Sequence, residues 1–139
     1  MIFVSVTRLR VRSVRFLPLF AIHTFRSLRQ VKKAPGYKTG ALLLDRSWTF
    51  WTMTAWDGKE SMRRYMTTGA HKRAMPHLMH WCDEASVAHW EQEESALPSW
   101  GEADRRMRET GRVSKVNHPS AEHAGLRYRE PRTSRGGTI

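Results

Sequence analysis

The sequence of 139 residues predicts an α+β fold whose elements follow the order β-α-β-β-α-β. Two observations predict it. Segments that alternate with a period of two, as strands do, are separated by segments whose apolar residues recur every three or four positions, as in helices. Turn-forming pairs such as Pro35-Gly36 and Asp57-Gly58 lie between these segments.

The first strand is predicted over residues 2–11, and Ser13 is a suitable N-cap for the helix that follows. Pro18 is tolerated only in a first turn, so the regular helix begins close to it. Arg26 and Arg29 fall largely on the solvated side. The core-facing positions at helical spacing are Leu17, Phe20, Ala21, Thr24, Leu28 and Val31.

A hairpin comes next. Its strands are predicted over residues 37–45 and 47–56, joined by a tight turn at Asp45-Arg46. The second strand is unusual because it is apolar or aromatic on both sides: Trp48, Phe50 and Trp56 alternate with Trp51, Met53 and Ala55.

The second helical region is predicted in two pieces, residues 59–65 and 71–81, separated by Thr67-Thr68-Gly69. Pro76 implies a fresh start or a kink in the second piece. Residues 86–92 alternate again and supply a fourth strand. The whole order is ferredoxin-like, with a four-stranded antiparallel sheet and its helices on one face.

The chain is predicted to divide into a domain over residues 1–95 and a C-terminal extension over residues 96–139. Pro98 and Ser99 open a short helix through about Met107, and a basic, largely irregular tail follows. Since the helices cover one sheet face, the aromatic second face is expected to meet a partner surface. We therefore predict a homodimer through the open sheet face.

The composition limits the classes of partner. The net charge of +11 raises the question of nucleic acid, but no zinc-finger, homeodomain or RNA-recognition signature accompanies it, and nucleic acid is not expected. Arginines interrupt any signal-peptide core, and the longest apolar stretch is too short to span a bilayer, so no membrane partner is expected. A single cysteine fits a reducing compartment, and the predicted location is cytoplasmic.

With these elements in place, the chain resembles the dimeric α+β barrel superfamily, which includes antibiotic-biosynthesis monooxygenases and haem-degrading monooxygenases. The likeness rests on the element order and on residues 50–75, FWTMTAWDGKESMRRYMTTGAHKRAM, where a strand ends in Trp56 and a helix carries Tyr65 before a break. Residues 51–90 also resemble a group of bacterial proteins related to spheroidene monooxygenase, a haem-dependent carotenoid enzyme. The resemblance implies the fold and a homodimer.

The sequence departs from the haem-degrading members at their functional positions. Thr7 stands where those members have an asparagine and Tyr65 where they have a tryptophan, while the ligand position falls near Met75, with His71 and His77 as neighbours. Haem degradation by that mechanism is therefore not expected. No cofactor is assigned, although haem stays open as a cofactor.

Six residues are the candidates for a site between the sheet and the helices. His71, Tyr65 and Thr7 are the candidate catalytic residues, because histidine titrates near neutral pH and the hydroxyls supply hydrogen bonds. The candidate substrate-binding residues are Trp56, Thr54 and Arg63. His71 also fits a surface or capping role, and Arg63 fits a solvated helix face.

The run His77-x-x-His80-x-Cys82 resembles a metal-ligand cluster, but Cys82 falls at a different angle on a helix, so no metal site is assigned. Three functions remain open. The first is a monooxygenase-like oxidoreductase acting on a small hydrophobic molecule, aromatic or polyene. The alternative is a non-catalytic dimeric ligand-binding or scaffold protein with a pocket filled by Trp51, Met53 and Met66. The third is nucleic-acid binding.

Overall fold

The computed structural model describes residues 1–139. A short 3₁₀ turn, Val14–Phe16, precedes the first α-helix. The strands are β1 (Ile2–Val11), β2 (Tyr37–Asp45), β3 (Thr49–Trp56), β4 (Cys82–Gln92), β5 (Arg112–Val113) and β6 (Gly136–Thr138). The helices are α1 (Leu17–Lys32), α2 (Lys59–Met66), α3 (Gly69–Trp81) and α4 (Trp100–Thr110).

The strands form one antiparallel sheet in the order β5-β4-β1-β3-β2-β6. Its four central strands have the predicted ferredoxin-like order, which confirms the α+β fold. Strand β1 lies between β3 and β4, and places Ser5 opposite Thr54 and Thr7 opposite Thr52. Because side chains alternate along a strand, these four hydroxyl side chains lie on the same sheet face.

Helices α1, α2 and α3 pack on that face. Pro18 lies in the first turn of α1, as the sequence predicts. The break between α2 and α3 occurs at Gly69, whose positive φ of 60° is accessible to glycine without strain. Pro76 lies within α3 and does not end it. None of these helices combines the length and the apolar character needed to cross a bilayer.

The opposite sheet face is not bare, and this corrects the expectation that it is open; the homodimer itself stays a prediction. Helix α4 places Ala103 and Met107 four residues apart, on one helical face, against Trp51 and Met53 of β3. All four side chains are at most 1% exposed. The apolar second face of β3 is therefore covered by the chain's own C-terminal extension, where the prediction placed the sheet of a twin subunit.

The tail beyond α4 has little regular structure, as predicted, but it is fastened to the sheet. The Ser120 hydroxyl donates to the Glu84 carboxylate at 2.7 Å, and the Tyr128 hydroxyl donates to the Asp104 carboxylate at 2.7 Å. Strand β6 pairs with the edge strand β2. Buried or half-buried carboxylates thus anchor a basic segment that its composition alone marks as loose.

Candidate active site

A cavity of about 810 Å³ separates helices α1, α2 and α3 from the sheet. Of its 38 lining residues, 25 are hydrophobic, so it suits a mainly apolar molecule. Leu42 and Trp48 line it towards the β2 edge, and Ser114 and Val116 line it towards the β5 edge. The space therefore extends across the width of the sheet beneath the helical layer.

The sheet forms a floor with a polar strip at its centre. Ser5 and Thr7 of β1 and Thr52 and Thr54 of β3 all line the cavity. The Trp56 indole N–H donates to the Thr54 hydroxyl oxygen at 2.9 Å. Since that oxygen accepts this bond, the Thr54 hydroxyl hydrogen is free to donate elsewhere. The strip therefore offers hydroxyl donors on an otherwise apolar surface.

Four aromatic rings form a row, and the last three of them line one end of the cavity. The centroid of Tyr37 lies 5.6 Å from that of Trp56, Trp56 lies 5.3 Å from Tyr65, and Tyr65 lies 4.8 Å from His71. These separations are typical of packed aromatic pairs. Trp56 belongs to β3, Tyr65 to α2 and His71 to the start of α3. The break between α2 and α3 therefore brings His71 beside Tyr65.

Tyr65 is held by its hydroxyl. This group donates to the backbone carbonyl of Ser27 in α1 at 3.2 Å. Burial raises the pKa of Tyr65 well above its ordinary value. The phenol therefore stays neutral at physiological pH, and its ring forms a fixed wall between Trp56 and His71.

His71 has one ring nitrogen engaged and one free. Its Nδ1 lies 3.2 Å from the carbonyl oxygen of Met66, and a carbonyl only accepts, so Nδ1 carries the hydrogen. Nε2 then has the lone pair, and it makes no hydrogen bond within the chain. Burial lowers the pKa of His71, although the Met66 contact opposes part of the shift. The imidazole is thus neutral at pH 7 and is suited to accept a proton or to ligate a metal.

Gln30 of α1 positions this end of the site, and sequence reasoning missed it. Its side-chain oxygen accepts from the His71 backbone N–H at 2.8 Å, and its amide nitrogen donates to the Thr68 carbonyl at 2.8 Å. A Cβ at Gly69 would meet the Gln30 amide at 3.2 Å. A single glutamine on a helix carries no recognisable pattern, so no local signal could have singled it out.

The structure brings five of the six predicted site residues to one cavity. Thr7, Thr54, Trp56, Tyr65 and His71 all line it. Arg63, the sixth, is exposed on α2 and is not part of the lining. The cations on the lining are Lys115 and Arg135, both from the C-terminal extension.

The His77-His80-Cys82 run does not assemble a metal site. No group of three or more histidine, cysteine, aspartate or glutamate side chains is arranged to hold a metal ion. The His77 ring stacks on Trp81, with centroids 5.2 Å apart. Cys82 is fully buried, and desolvation raises the pKa of its thiol to about 12. The contacts of His77 and Cys82 are therefore those of residues that pack in the fold, and neither residue is arranged as a metal ligand.

No known protein-family model matches this chain. No curated protein matches its sequence closely enough to count as a relative.

Solved structures match its fold. One is SnoaB, a cofactor-independent oxygenase from Streptomyces nogalater, at a TM-score of 0.56 and 16% identity, covering 70% of this chain and 98% of SnoaB. Another is Rv0793 from Mycobacterium tuberculosis, at 0.61 and 8%, covering 70% of this chain and all of Rv0793. A third is an antibiotic biosynthesis monooxygenase, at 0.59 and 11%, covering 68% and 100%. The predicted likeness to antibiotic-biosynthesis-monooxygenase-like proteins is thus confirmed for the fold.

Proposed function

We propose that this protein is a monooxygenase-like enzyme that oxidises a small hydrophobic molecule, aromatic or polyene, in the cavity beneath its helices. The observation that carries the proposal is the position of His71: this residue, a neutral imidazole with a free Nε2, lines a large apolar cavity. The shared fold with a cofactor-independent oxygenase supports the same reaction class.

The chemistry suited to this site begins with proton removal. His71 Nε2 takes a proton from an acidic C–H of the substrate, and the resulting carbanion gives its electrons to dioxygen. For an activated methylene group the balance is CH₂ + O₂ → C=O + H₂O. One oxygen atom stays in the product and the other leaves as water with both hydrogens. The substrate is the reductant, and dioxygen is the only co-reactant.

The remaining candidate residues bind and orient the substrate. The hydroxyls of Thr7 and Thr54 lie on the sheet floor and donate to an oxygen of the substrate, where they stabilise the negative charge that develops there. Tyr65 supplies a flat apolar wall for a ring or a polyene chain, and Trp56, which is fully buried, packs against Tyr65 and holds it in place. Helices above and sheet below exclude water, which strengthens these interactions. Arg63 has no place in this arrangement because it lies outside the cavity.

Haem, the cofactor that the sequence leaves open, fits the donor set of the cavity. His71 would ligate through Nε2, and its Nδ1–H contact with the Met66 carbonyl is the outer contact that ligating histidines commonly make. Lys115 and Arg135 on the lining are suited to propionate groups. Bound haem would supply dioxygen activation at the iron. The proton transfer and the apolar walls described above remain properties of the chain.

The direct test is oxidation of an anthrone, whose methylene is acidic because it lies between two rings opposite a carbonyl. We expect anthrone-dependent oxygen uptake that falls by about 100-fold or more in His71→Ala, the effect typical of losing a general base. His77→Ala is the matched control, since that histidine is exposed on the same helix outside the cavity. Equal losses in the two variants would contradict the assignment.

Two further readings separate the alternatives. Anthrone binding without oxygen uptake would favour the non-catalytic ligand-binding protein. A Soret band that appears on adding haem and is lost in His71→Ala would favour the haem-dependent version. The non-catalytic alternative predicts a pocket filled by Trp51, Met53 and Met66. Met53 packs instead against α4 on the other sheet face, which leaves the cavity open.

A further inference from the structure

The solvent side of helix α1 carries three large apolar side chains. Leu19 is 50% exposed, Ile22 is 47% exposed and Phe25 is 61% exposed. They follow one another at intervals of three residues, so they form a continuous stripe along the helix. Such side chains are scattered singly on ordinary surfaces, whereas a contiguous row marks an interaction site. We name this stripe and the basic residues on the same side the α1 outer face.

The α1 outer face is basic as well as apolar. Arg26, Arg29 and Lys33 lie four, seven and eleven positions after Ile22, which places them on the same side of the helix as that residue. All three are exposed. Helix α1 contains no acidic residue, and neither does the neighbouring α3, which adds exposed Lys72 and Arg73. These two helices therefore present positive charge with no acidic residue of their own.

The other side of the molecule differs in charge. Helix α4, which covers the opposite sheet face, carries Glu102, Asp104 and Glu109. Its arginines are largely paired: Arg105 contacts Glu102 and Glu109. Helices α1 and α3 thus combine unpaired positive charge with the apolar stripe, whereas the tail carries unpaired charge without such a stripe.

We propose that the α1 outer face docks this protein on an anionic lipid bilayer. Lysine and arginine attract acidic headgroups, and leucine, isoleucine and phenylalanine enter the boundary between headgroups and acyl chains. The sequence-based expectation of no membrane partner rested on the lack of a spanning segment and a signal peptide. A helix that lies on the surface of a bilayer needs neither of these features, and only the structure shows which side of α1 is exposed.

Lipid fits this face better than nucleic acid does. A phosphate backbone would neutralise the arginines but would give no favourable environment to three exposed apolar side chains. A bilayer interface satisfies both kinds of group at once. Charge and apolar stripe together, rather than charge alone, therefore identify the partner.

The docking surface adjoins the cavity. Phe25 belongs to the exposed stripe and also lines the cavity. Trp48, an exposed residue at the end of the β2–β3 turn, lines the cavity too. A docked α1 would bring these two side chains to the membrane boundary. An apolar ligand dissolved in the bilayer then has a path to the cavity that avoids water. The docking itself does not depend on the proposed oxidation, because it is measured without any substrate.

Flotation of the full chain with vesicles tests the proposal. The vesicles contain three parts phosphatidylcholine to one part phosphatidylglycerol, with pure phosphatidylcholine as the uncharged comparison. We expect binding to the anionic vesicles that weakens with salt. Arg26→Gln with Arg29→Gln should weaken it by about 25-fold, since each arginine contributes about 5-fold. Leu19→Gln with Ile22→Gln should weaken it by about 10-fold or more.

Matched controls make the outcome decisive. Arg129→Gln with Arg132→Gln removes two exposed charges from the tail, and Val113→Gln removes an exposed apolar side chain from β5. Circular dichroism verifies the fold of every variant. Binding that these controls weaken as much as the α1 variants would overturn the proposal. An absence of vesicle binding at low salt would also overturn the proposal. If duplex DNA bound through Arg26 and Arg29 while vesicles did not bind, the partner of this face would be nucleic acid. Because Leu19 and Ile22 do not line the cavity, anthrone oxidation in solution should be unchanged in that double variant.

Discussion

The two faces of the sheet in this protein are built in opposite ways, and strand β3 belongs to both. On the α4 side, Trp51, Met53 and Ala55 are at most 1% exposed and pack against the C-terminal extension. On the side of α1, α2 and α3, Phe50 and Thr52 line a cavity of about 810 Å³. Adjacent residues of one strand therefore contribute to a dense core and to a hollow site.

The difference shows where stability and function are separated. A dense core gains from every apolar contact, and removing one leaves a void with no compensating collapse. A cavity wall already lacks partners on one side, so it contributes less to stability and leaves room for a ligand. The helical layer is held to the sheet by two smaller buried clusters, around Phe20 and around Val31, while the other face supplies the largest core.

The largest expected effect is that of removing the cover from the dense face. A chain ending at Ser95 loses α4 and the tail, and exposes Val4, Val6, Trp51 and Met53. Because a face of this kind is not stable in water, we expect the shortened chain to self-associate more strongly than the full chain. Size-exclusion chromatography with light scattering, run beside the full chain, measures this.

The same experiment tests the predicted division of the chain at residues 95 and 96. A shortened chain that keeps its circular dichroism spectrum as a dimer would support residues 1–95 as a domain able to pair through its sheet. A shortened chain that stays monomeric and folded would contradict the role assigned to α4.

The next largest effect is the loss of unfolding free energy when a methionine is replaced by alanine on each of the two sheet faces. Met107→Ala removes a fully buried side chain from the dense core, and we expect the free energy of unfolding to fall by about 3 kcal/mol. Met66→Ala removes a half-buried side chain that already borders the cavity, and we expect a loss of about 1 kcal/mol or less. Urea denaturation of both variants measures the difference. Equal losses would show that the cavity is closed in solution.

The smallest effect is that of pH on the hollow side. Burial lowers the pKa values of His71 and His89 below the ordinary 6.5, so the unfolded chain binds more protons than the folded one in this range. Stability is therefore complete above about pH 6.5 and falls as pH drops below that value. Thermal unfolding between about pH 7.5 and about pH 5.5 measures it. His71→Gln should reduce this dependence, and an unchanged pH profile in that variant would contradict the burial of His71.

The sequence predicted most of the architecture because local patterns carry it. Alternation over residues 2–11 and helical spacing from Leu17 to Val31 report which side of an element is buried, and chain order then limits the topology. The same reasoning predicted a pocket between the sheet and the helices with Thr7, Thr54, Trp56, Tyr65 and His71, and all five line one cavity. Arg63 was misplaced because charge and proximity in sequence do not report on which side of a helix a residue lies.

By itself, the sequence determined the ferredoxin-like order, the break at Gly69 and the apolar character of both sides of β3. Only the tertiary structure decided what covers each side. Helix α4 takes the face that a twin subunit was expected to cover, Gln30 links α1 to His71 across 41 positions of sequence, and α1 keeps an apolar stripe in solvent. The physical reason is that a local pattern of apolar residues indicates only that a face is buried. Which segment buries it depends on contacts between residues far apart in the chain.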